Sequence, residues 1–224
     1  IIPQAIIDLP RFGLINVHAS LLPKYRGAAP IQWAIANGET VTGVTTMSIN
    51  AGLDTGDMLL KYETPIGAEE NALELSERLS VAGAGLLVET LRRLAAGGLA
   101  PERQNDAEAS LAPVLTKEDG LIDWERPAVE ISNRCRGFLP WPGTYTRFHG
   151  HLLHIWRAKP ANDIDSGLPG SLHVRGRGVV VACGAGTALE LQELQLEGRK
   201  RMSAEAFVNG RRLSANETLG DKTN

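Results

Sequence analysis

The sequence predicts an α/β fold followed by a small, mainly β domain. Strand-like runs alternate with helix-like segments over roughly the first hundred residues, as they do in α/β layers. The polar stretch APERQNDAEASLAP, with Pro near both ends, interrupts that order. Beyond it, short strand-like segments follow one another between Gly and Pro residues, a pattern typical of small β-barrels.

The first part of the chain should hold two short helices, three strands and one long helix. IIPQAIIDLPRFG suggests a short helix, LINVHAS a buried strand, and AAPIQWAIAN a helix that Gly38 ends. VTGVTTMSIN and MLLKYETPI read as further strands of a largely parallel or mixed sheet. The long helix should run from Asn71 to Ala96, since Asn71 and Glu74 have the spacing of a capping box. Because LINVHAS would have few strand partners, we expect upstream sequence before Ile1.

The change in composition predicts a domain over residues 1–100, a linker over 101–116 and a second domain over 117–224. LIDWERPAVEISNRCRGF can form one helix, and we expect Trp141 to pack the following strands against it. Those strands are TYTRFHG, HLLHIWRAK, GSLHVRG, GVVVACG and TALELQELQLEG, which suit an OB-like barrel.

Composition and charge narrow the class of protein. No apolar run approaches the roughly 20 residues that cross a bilayer, so we expect a cytoplasmic protein without membrane contact. Cys135 and Cys183 lack the spacing of a zinc site and are expected to be free thiols. Residues 1–116 carry a net charge of -5 and residues 117–224 one of +2, a weak indication that the second part meets a polyanion.

Polar side chains gather at the end of the first strand. Alternation places Asn16, His18 and Ser20 on one face of that strand. The loop NAGLDTGD follows the next strand, and we expect it to bring Asp54 to the same rim of the sheet. A carboxylate beside His18 would hold the imidazole in place, and Asn16 can donate to an oxygen. This set suits attack of an amine on a carbonyl.

Other kinds of site find little support. The sequence has neither a GxSxG nucleophile motif nor a GxGxxG dinucleotide motif. His149, His151 and His154 form the run HGHLLH, but on a strand His151 and His154 would face opposite ways. We therefore expect no metal.

Two segments together resemble the folate-dependent formyltransferases: NVHASLLPKYRGAAPIQ and GVTTMSINAGLDTGDML. The resemblance implies the C-terminal half of a Rossmann-like catalytic domain, with Asn16, His18 and Asp54 as catalytic residues. It also implies 10-formyltetrahydrofolate as formyl donor. The folate would lie against an SLLP loop, which consists of Ser20, Leu21, Leu22 and Pro23.

Within that family, RGAAPIQWAI resembles the branch whose acceptor is methionyl initiator tRNA. GLIDWERPAVEISNRCRGFLPWPGTY and LQLEGRKRMSAEAFVNGRR resemble the OB-like tRNA-binding domain of that branch. We expect a monomeric enzyme that formylates the methionine amine. Two alternatives remain open: the same donor with another acceptor (a sugar amine, a ribonucleotide amine or water), and a non-catalytic RNA-binding remnant.

The segment EGRKRMSAEAFVNGRR holds five Lys or Arg residues against two Glu. A solvated cationic edge is the default explanation of such a run. Together with the resemblance, it predicts contacts to tRNA phosphates. The candidate residues are Lys117, Arg199, Lys200, Arg201, Arg211 and Arg212.

Overall fold

A computed structural model describes residues 2–161, 167–210 and 217–220, and the chain divides into two compact units. The first unit contains the described residues up to Ile35 together with Glu39–Leu115. The second contains Ala36–Gly38 and the described residues from Thr116 onward. No helix of these described ranges is both long enough and apolar enough to cross a membrane.

The predicted helices and strands up to Leu115 occur in the predicted order, and two further strands of two residues each were not predicted. The helices are α1 (Gln4–Ile7), α2 (Pro30–Ala36) and α3 (Ala72–Ala95). The strands are β1 (Ile15–His18), β2 (Arg26–Gly27), β3 (Val41–Ser48), β4 (Met58–Pro65) and β5 (Leu111–Ala112).

The sheet of this unit runs in the order β1-β3-β4, and both pairings are antiparallel. The expectation of a largely parallel or mixed sheet is wrong for these three strands. A single loop joins neighbouring strands β3 and β4, so the chain must return in the opposite direction. Parallel pairing is confined to the two-residue strands β2 and β5 among the strands that the structure describes.

Helix α3 covers one face of this sheet. Its N-cap residue Asn71 accepts from the backbone N–H groups of Leu73 and Glu74, while the Glu74 carboxylate accepts from the Asn71 N–H. This confirms the predicted capping box. The hydroxyls of Thr46 on β3 and Thr90 on α3 lie 2.8 Å apart, both fully buried. The opposite face of the sheet is therefore the one that can carry a site.

The second unit is built on five main strands around its own apolar core. The strands pair in the order β6-β7-β10-β9-β8, and a short strand, β11, pairs with β10. Their bounds are β6 (Thr144–Phe148), β7 (His151–Pro160), β8 (Leu172–Arg175), β9 (Gly178–Cys183), β10 (Thr187–Leu196) and β11 (Met202–Ser203). The described strands do not close into a barrel, because β6 and β8 stand at opposite ends of the order.

Two helices accompany these strands, α4 (Ala128–Gly137) and α5 (Ala204–Gly210). The single helix expected from Leu121 onward is wrong, because the helix starts only after Pro127. Proline has no N–H to donate, and it restricts the preceding residue, so it is favoured at a helix start. The packing role expected for Trp141 is also wrong, since this side chain is 55% exposed.

Candidate active site

Strand β1 presents its polar side chains on the face that α3 leaves open. A Cβ atom added to Gly83 of α3 would lie 3.0 Å from Cγ1 of Val17, so Val17 faces the helix. Asn16 and His18, its neighbours on the strand, consequently face the other way. Asn16 is half-buried and His18 is buried.

Both ring nitrogens of His18 face oxygen atoms of the protein. Nε2 lies 2.8 Å from the backbone oxygen of Tyr25. A carbonyl only accepts hydrogen bonds, so Nε2 carries a proton and donates it. Nδ1 lies 3.6 Å from Oδ2 of Asp54, which is too long for a direct hydrogen bond. The backbone thus orients the imidazole with Nδ1 towards the carboxylate.

Asp54 reaches His18 by a route that the sequence did not indicate. Because β1 and β3 are antiparallel, the loop after β3 starts beside Ile15, at the far end of β1 from His18. It then folds back along the sheet, and a Cβ atom on Gly56 would lie 1.7 Å from the backbone oxygen of Ser48. Only glycine fits there. The juxtaposition of His18 and Asp54 holds, although the argument from strand ends does not.

The backbone of β2 fixes the Asp54 carboxylate. The N–H of Gly27 donates to Oδ2 of Asp54 at 2.9 Å. Gly27 has a φ of +125°, and a Cβ atom there would lie 2.5 Å from the backbone oxygen of Ala112. Tyr25 and Gly27, two residues apart, therefore hold His18 and Asp54 respectively.

Two further residues of the site were missed by the sequence analysis. Gln104 is buried, and its Nε2 donates to the backbone oxygens of Asp54 and Gly56 at 2.7 and 2.8 Å. Its Oε1 accepts from Nε of the buried Arg26 at 2.9 Å. Gln104 lies in the stretch expected to be a linker, whose polar composition carries no periodicity that would mark one side chain as buried.

The SLLP segment lies directly after β1. Ser20 is buried and donates to the backbone oxygen of Lys24 at 2.6 Å. Thr45 Oγ1 donates to the backbone oxygen of Ser20 at 2.7 Å and accepts from the backbone N–H of Leu22 at 3.1 Å. Leu21 and Pro23, with the buried Leu22, line a cleft of about 490 Å³.

The basic candidates of the second unit are exposed where the structure describes them. They are Lys117, Arg199, Lys200 and Arg201, whereas Arg211 and Arg212 lie outside the described residues. The Arg201 guanidinium lies 3.6 Å from the centroid of the Trp156 ring, which stacks on His154. Burial lowers the pKa of His154, and the positive charges of Lys117 and Arg201 lower it further. Lys117 and Arg201 thus both place positive charge near the His154 imidazole.

A metal site is not formed by the described part of the chain. No three His, Cys, Asp or Glu side chains within it converge as metal ligands would. In the HGHLLH run, His149 contacts Glu217 and His151 lies 3.9 Å from Glu197, so these histidines face different carboxylates.

Two family models match the chain. The model described as "Formyl transferase" matches residues 1–91, and "Formyl transferase, C-terminal domain" matches residues 114–212. Together they cover most of the sequence.

Curated relatives match almost the whole chain. A methionyl-tRNA formyltransferase of Solibacter usitatus is 61% identical over 99% of this chain and 70% of its own length. A protein of the same name from Koribacter versatilis is 58% identical over 98% of this chain and 70% of its own length.

A solved structure shows a similar fold. The N-formyltransferase from Helicobacter canadensis, in complex with folinic acid and dTDP-3-aminofucose, superposes with a TM-score of 0.67. The identity is 22%, over 80% of this chain and 65% of that one.

Proposed function

The chain belongs to the formyl transferase family, and from that premise we propose that it transfers a formyl group from 10-formyltetrahydrofolate to the α-amine of methionine on initiator tRNA. The choice of acceptor rests on the 61% identity to a relative named methionyl-tRNA formyltransferase. The single structural observation that carries the proposal is the pairing of His18 with Asp54 on the open face of β1.

His18 acts through Nδ1. Since Nε2 donates to the Tyr25 oxygen, Nδ1 is the nitrogen that remains for the reaction. The 3.6 Å gap to Asp54 is too long for a direct hydrogen bond, so a protonated Nδ1 can donate to the formyl oxygen as charge develops there. The Asp54 carboxylate stabilises the positive charge on the imidazole and helps to move the proton that the amine loses.

Asn16 supplies the second donor to the same oxygen. It lies on the same face of β1 as His18, it is uncharged, and its amide donates a proton without titrating. The donor substrate supplies a formyl carbon, whose bond to N10 breaks as the bond to the methionine nitrogen forms. The proton lost by the amine ends on the released N10.

The SLLP segment forms part of the folate site. Leu21, Leu22 and Pro23 give the cleft an apolar wall against which a folate ring system can lie. The Ser20 hydroxyl donates to the backbone oxygen of Lys24, so Ser20 contributes by stabilising the conformation of this segment.

The second unit binds tRNA. Lys117, Arg199, Lys200 and Arg201 contact phosphates, which adds affinity with little discrimination between sequences. Trp156 supports this role because its ring holds the Arg201 guanidinium in one position. The candidates Arg211 and Arg212 follow in sequence. We assign this unit to an OB-like architecture, a family of folds that often binds nucleic acids.

We further propose that the protein acts as a monomer in the cytoplasm, where charged initiator tRNA is used.

The domain limits, 1–100 and 117–224 with a connection between them, also stay a prediction. In this structure residues 101–115, most of the expected connection, belong to the first unit.

The proposal is tested by transfer of labelled formyl from 10-formyltetrahydrofolate to methionyl initiator tRNA. The assay compares the 224-residue chain with a version extended by whatever its gene encodes upstream of Ile1. Methionyl elongator tRNA, a sugar amine, a ribonucleotide amine and water are offered as competing acceptors. We expect formyl-methionyl-tRNA as the main product of at least one version.

Transfer to a sugar or ribonucleotide amine instead would replace the acceptor but keep the donor. Release of formate without any acceptor would indicate a hydrolase. Salt-dependent RNA binding with no folate binding in either version would favour a non-catalytic remnant.

A further inference from the structure

We propose that Gln104 is a positioning residue of the formyl transfer, which holds the Asp54 loop so that its carboxylate faces His18. This inference rests on the proposed function. The Gln104 amide binds the backbone oxygens of Asp54 and Gly56, so it acts through the loop backbone.

The Gln104 amide holds the loop at two points with one group. Its two N–H bonds are directed at the backbone oxygens of Asp54 and Gly56. Asp54 has a φ of +52°, a left-handed conformation that is costly for a residue with a side chain. Such a backbone persists only where its surroundings hold it. The Gln104 amide is a direct constraint on the residue whose side chain enters the site.

Arg26 orients this amide. Its Nε donates to Oε1 of Gln104 at 2.9 Å, and its Nη2 donates to Oδ1 of Asp106 at 2.8 Å. If the Gln104 amide were turned over, its oxygen would face two carbonyl oxygens and its NH₂ would face the guanidinium. Only one orientation therefore satisfies all partners of this buried group.

The contacts of Gln104 belong to a larger set that converges on His18 and Asp54. The backbone oxygen of Tyr25 accepts from His18, and the backbone N–H of Gly27 donates to the Asp54 carboxylate. Between them, the side chain of Arg26 donates to Gln104. Three consecutive residues thus set the relative position of the two catalytic candidates. Gln104 adds a second constraint, on the backbone of the Asp54 loop.

The test uses Gln104→Met, which keeps the size of the side chain and removes its hydrogen bonds, and Gln104→Glu, which keeps the acceptor for Arg26 and removes the amide donors. We expect kcat to fall roughly tenfold to a hundredfold, because small misplacements of catalytic groups cost that much. KM for folate and tRNA should change little. Asn105→Ala is the matched control, since Asn105 is the neighbouring residue and its side chain accepts from the Ala107 N–H and donates to the Glu108 carboxylate, both within its own turn. It should leave kcat unchanged.

A double-mutant cycle with Asp54→Asn separates positioning from a general loss of stability. If Gln104 acts through Asp54, Gln104→Met should cost little more once Asp54 has been replaced by an uncharged side chain. Independent, fully additive losses would overturn the inference.

Amide hydrogen exchange at Gly27 gives a readout that does not depend on activity. The Gly27 N–H donates to Asp54, so displacement of the loop should speed its exchange in both Gln104 variants and not in Asn105→Ala. Unchanged protection at Gly27 together with an unchanged kcat would refute the role of Gln104. Absence of formyl transfer in the unsubstituted protein would instead count against the proposed function, and Gly27 exchange would still decide the question of Gln104.

Discussion

His18 shows how a backbone contact decides what a side chain can do. The sequence identifies an imidazole on a polar strand face, but not which of its nitrogens is available. The backbone oxygen of Tyr25 accepts from Nε2, so that Nδ1 faces Asp54. The nitrogen of His18 that faces Asp54 is thus decided by a hydrogen bond to the main chain, which the residue type alone does not indicate.

The first prediction concerns these two side chains. His18→Ala and Asp54→Asn should each lower the single-turnover rate of formyl transfer by roughly a hundredfold or more, the usual effect of losing an oxyanion donor or an acid–base group. His151→Ala is the matched control, because His151 is exposed and belongs to the second unit. An unchanged rate in either site variant would remove that residue from the mechanism.

The second prediction concerns the two cysteines. Burial raises the pKa of Cys135 to about 11 and that of Cys183 to about 12, so both thiols stay protonated at neutral pH. They should react with thiol reagents only after unfolding. Since both pKa values are above those of an unfolded thiol, the folded state binds protons more tightly. The stability from this source is complete below about pH 8.5 and falls as the pH rises through about 9 to 12. Labelling of the thiols at increasing denaturant concentration measures the first effect, and the free energy of unfolding at increasing pH measures the second. Rapid labelling of the folded protein at about pH 7 would contradict the burial of the thiols.

At the scale of elements, the sequence predicts correctly those features that depend on residues close together in the chain. The capping residues of α3 are confirmed, because a cap depends on residues three apart in sequence. The predicted start of α4 is too early. Residues 121–127 include apolar side chains, but the helix begins only after Pro127. The direction of pairing between β1 and β3 was also missed, because pairing is a contact between distant residues.

The third prediction concerns the α3 cap. Asn71→Ala removes the acceptor for two N–H groups and should lower the free energy of unfolding by about 1 kcal/mol. Glu77→Ala, an exposed change in the second turn of the same helix, serves as control and should cost much less. Denaturant unfolding of both variants measures the difference. Equal effects would mean that the cap contributes nothing beyond helix propensity.

At the scale of the whole molecule, the charge asymmetry of the sequence corresponds to a division into two compact units. The second unit carries the basic candidates, and those that are described are exposed. A nucleic-acid partner of this unit should therefore bind with a strong dependence on salt.

The fourth prediction concerns that dependence. Replacing Arg199, Lys200 and Arg201 by Ala should weaken tRNA binding and reduce the slope of log K against log salt by roughly 0.9 for each phosphate that the protein then leaves unneutralised. Arg92→Ala, on α3 of the first unit, is the control for a simple loss of positive charge. A slope that is unchanged in the triple variant would show that tRNA phosphates lie elsewhere.

The sequence by itself determined the family, the alternation of elements and three candidate side chains for formyl transfer, because motifs and periodicity depend on residues close together along the chain. Only the tertiary structure decided that β1 and β3 run antiparallel, that the Asp54 loop folds back to His18, and that Gln104 is buried beneath that loop. The physical reason is that Gln104 and Asp54 lie far apart in sequence. Contacts between such residues follow from burial and hydrogen-bond satisfaction in the folded chain, not from local composition.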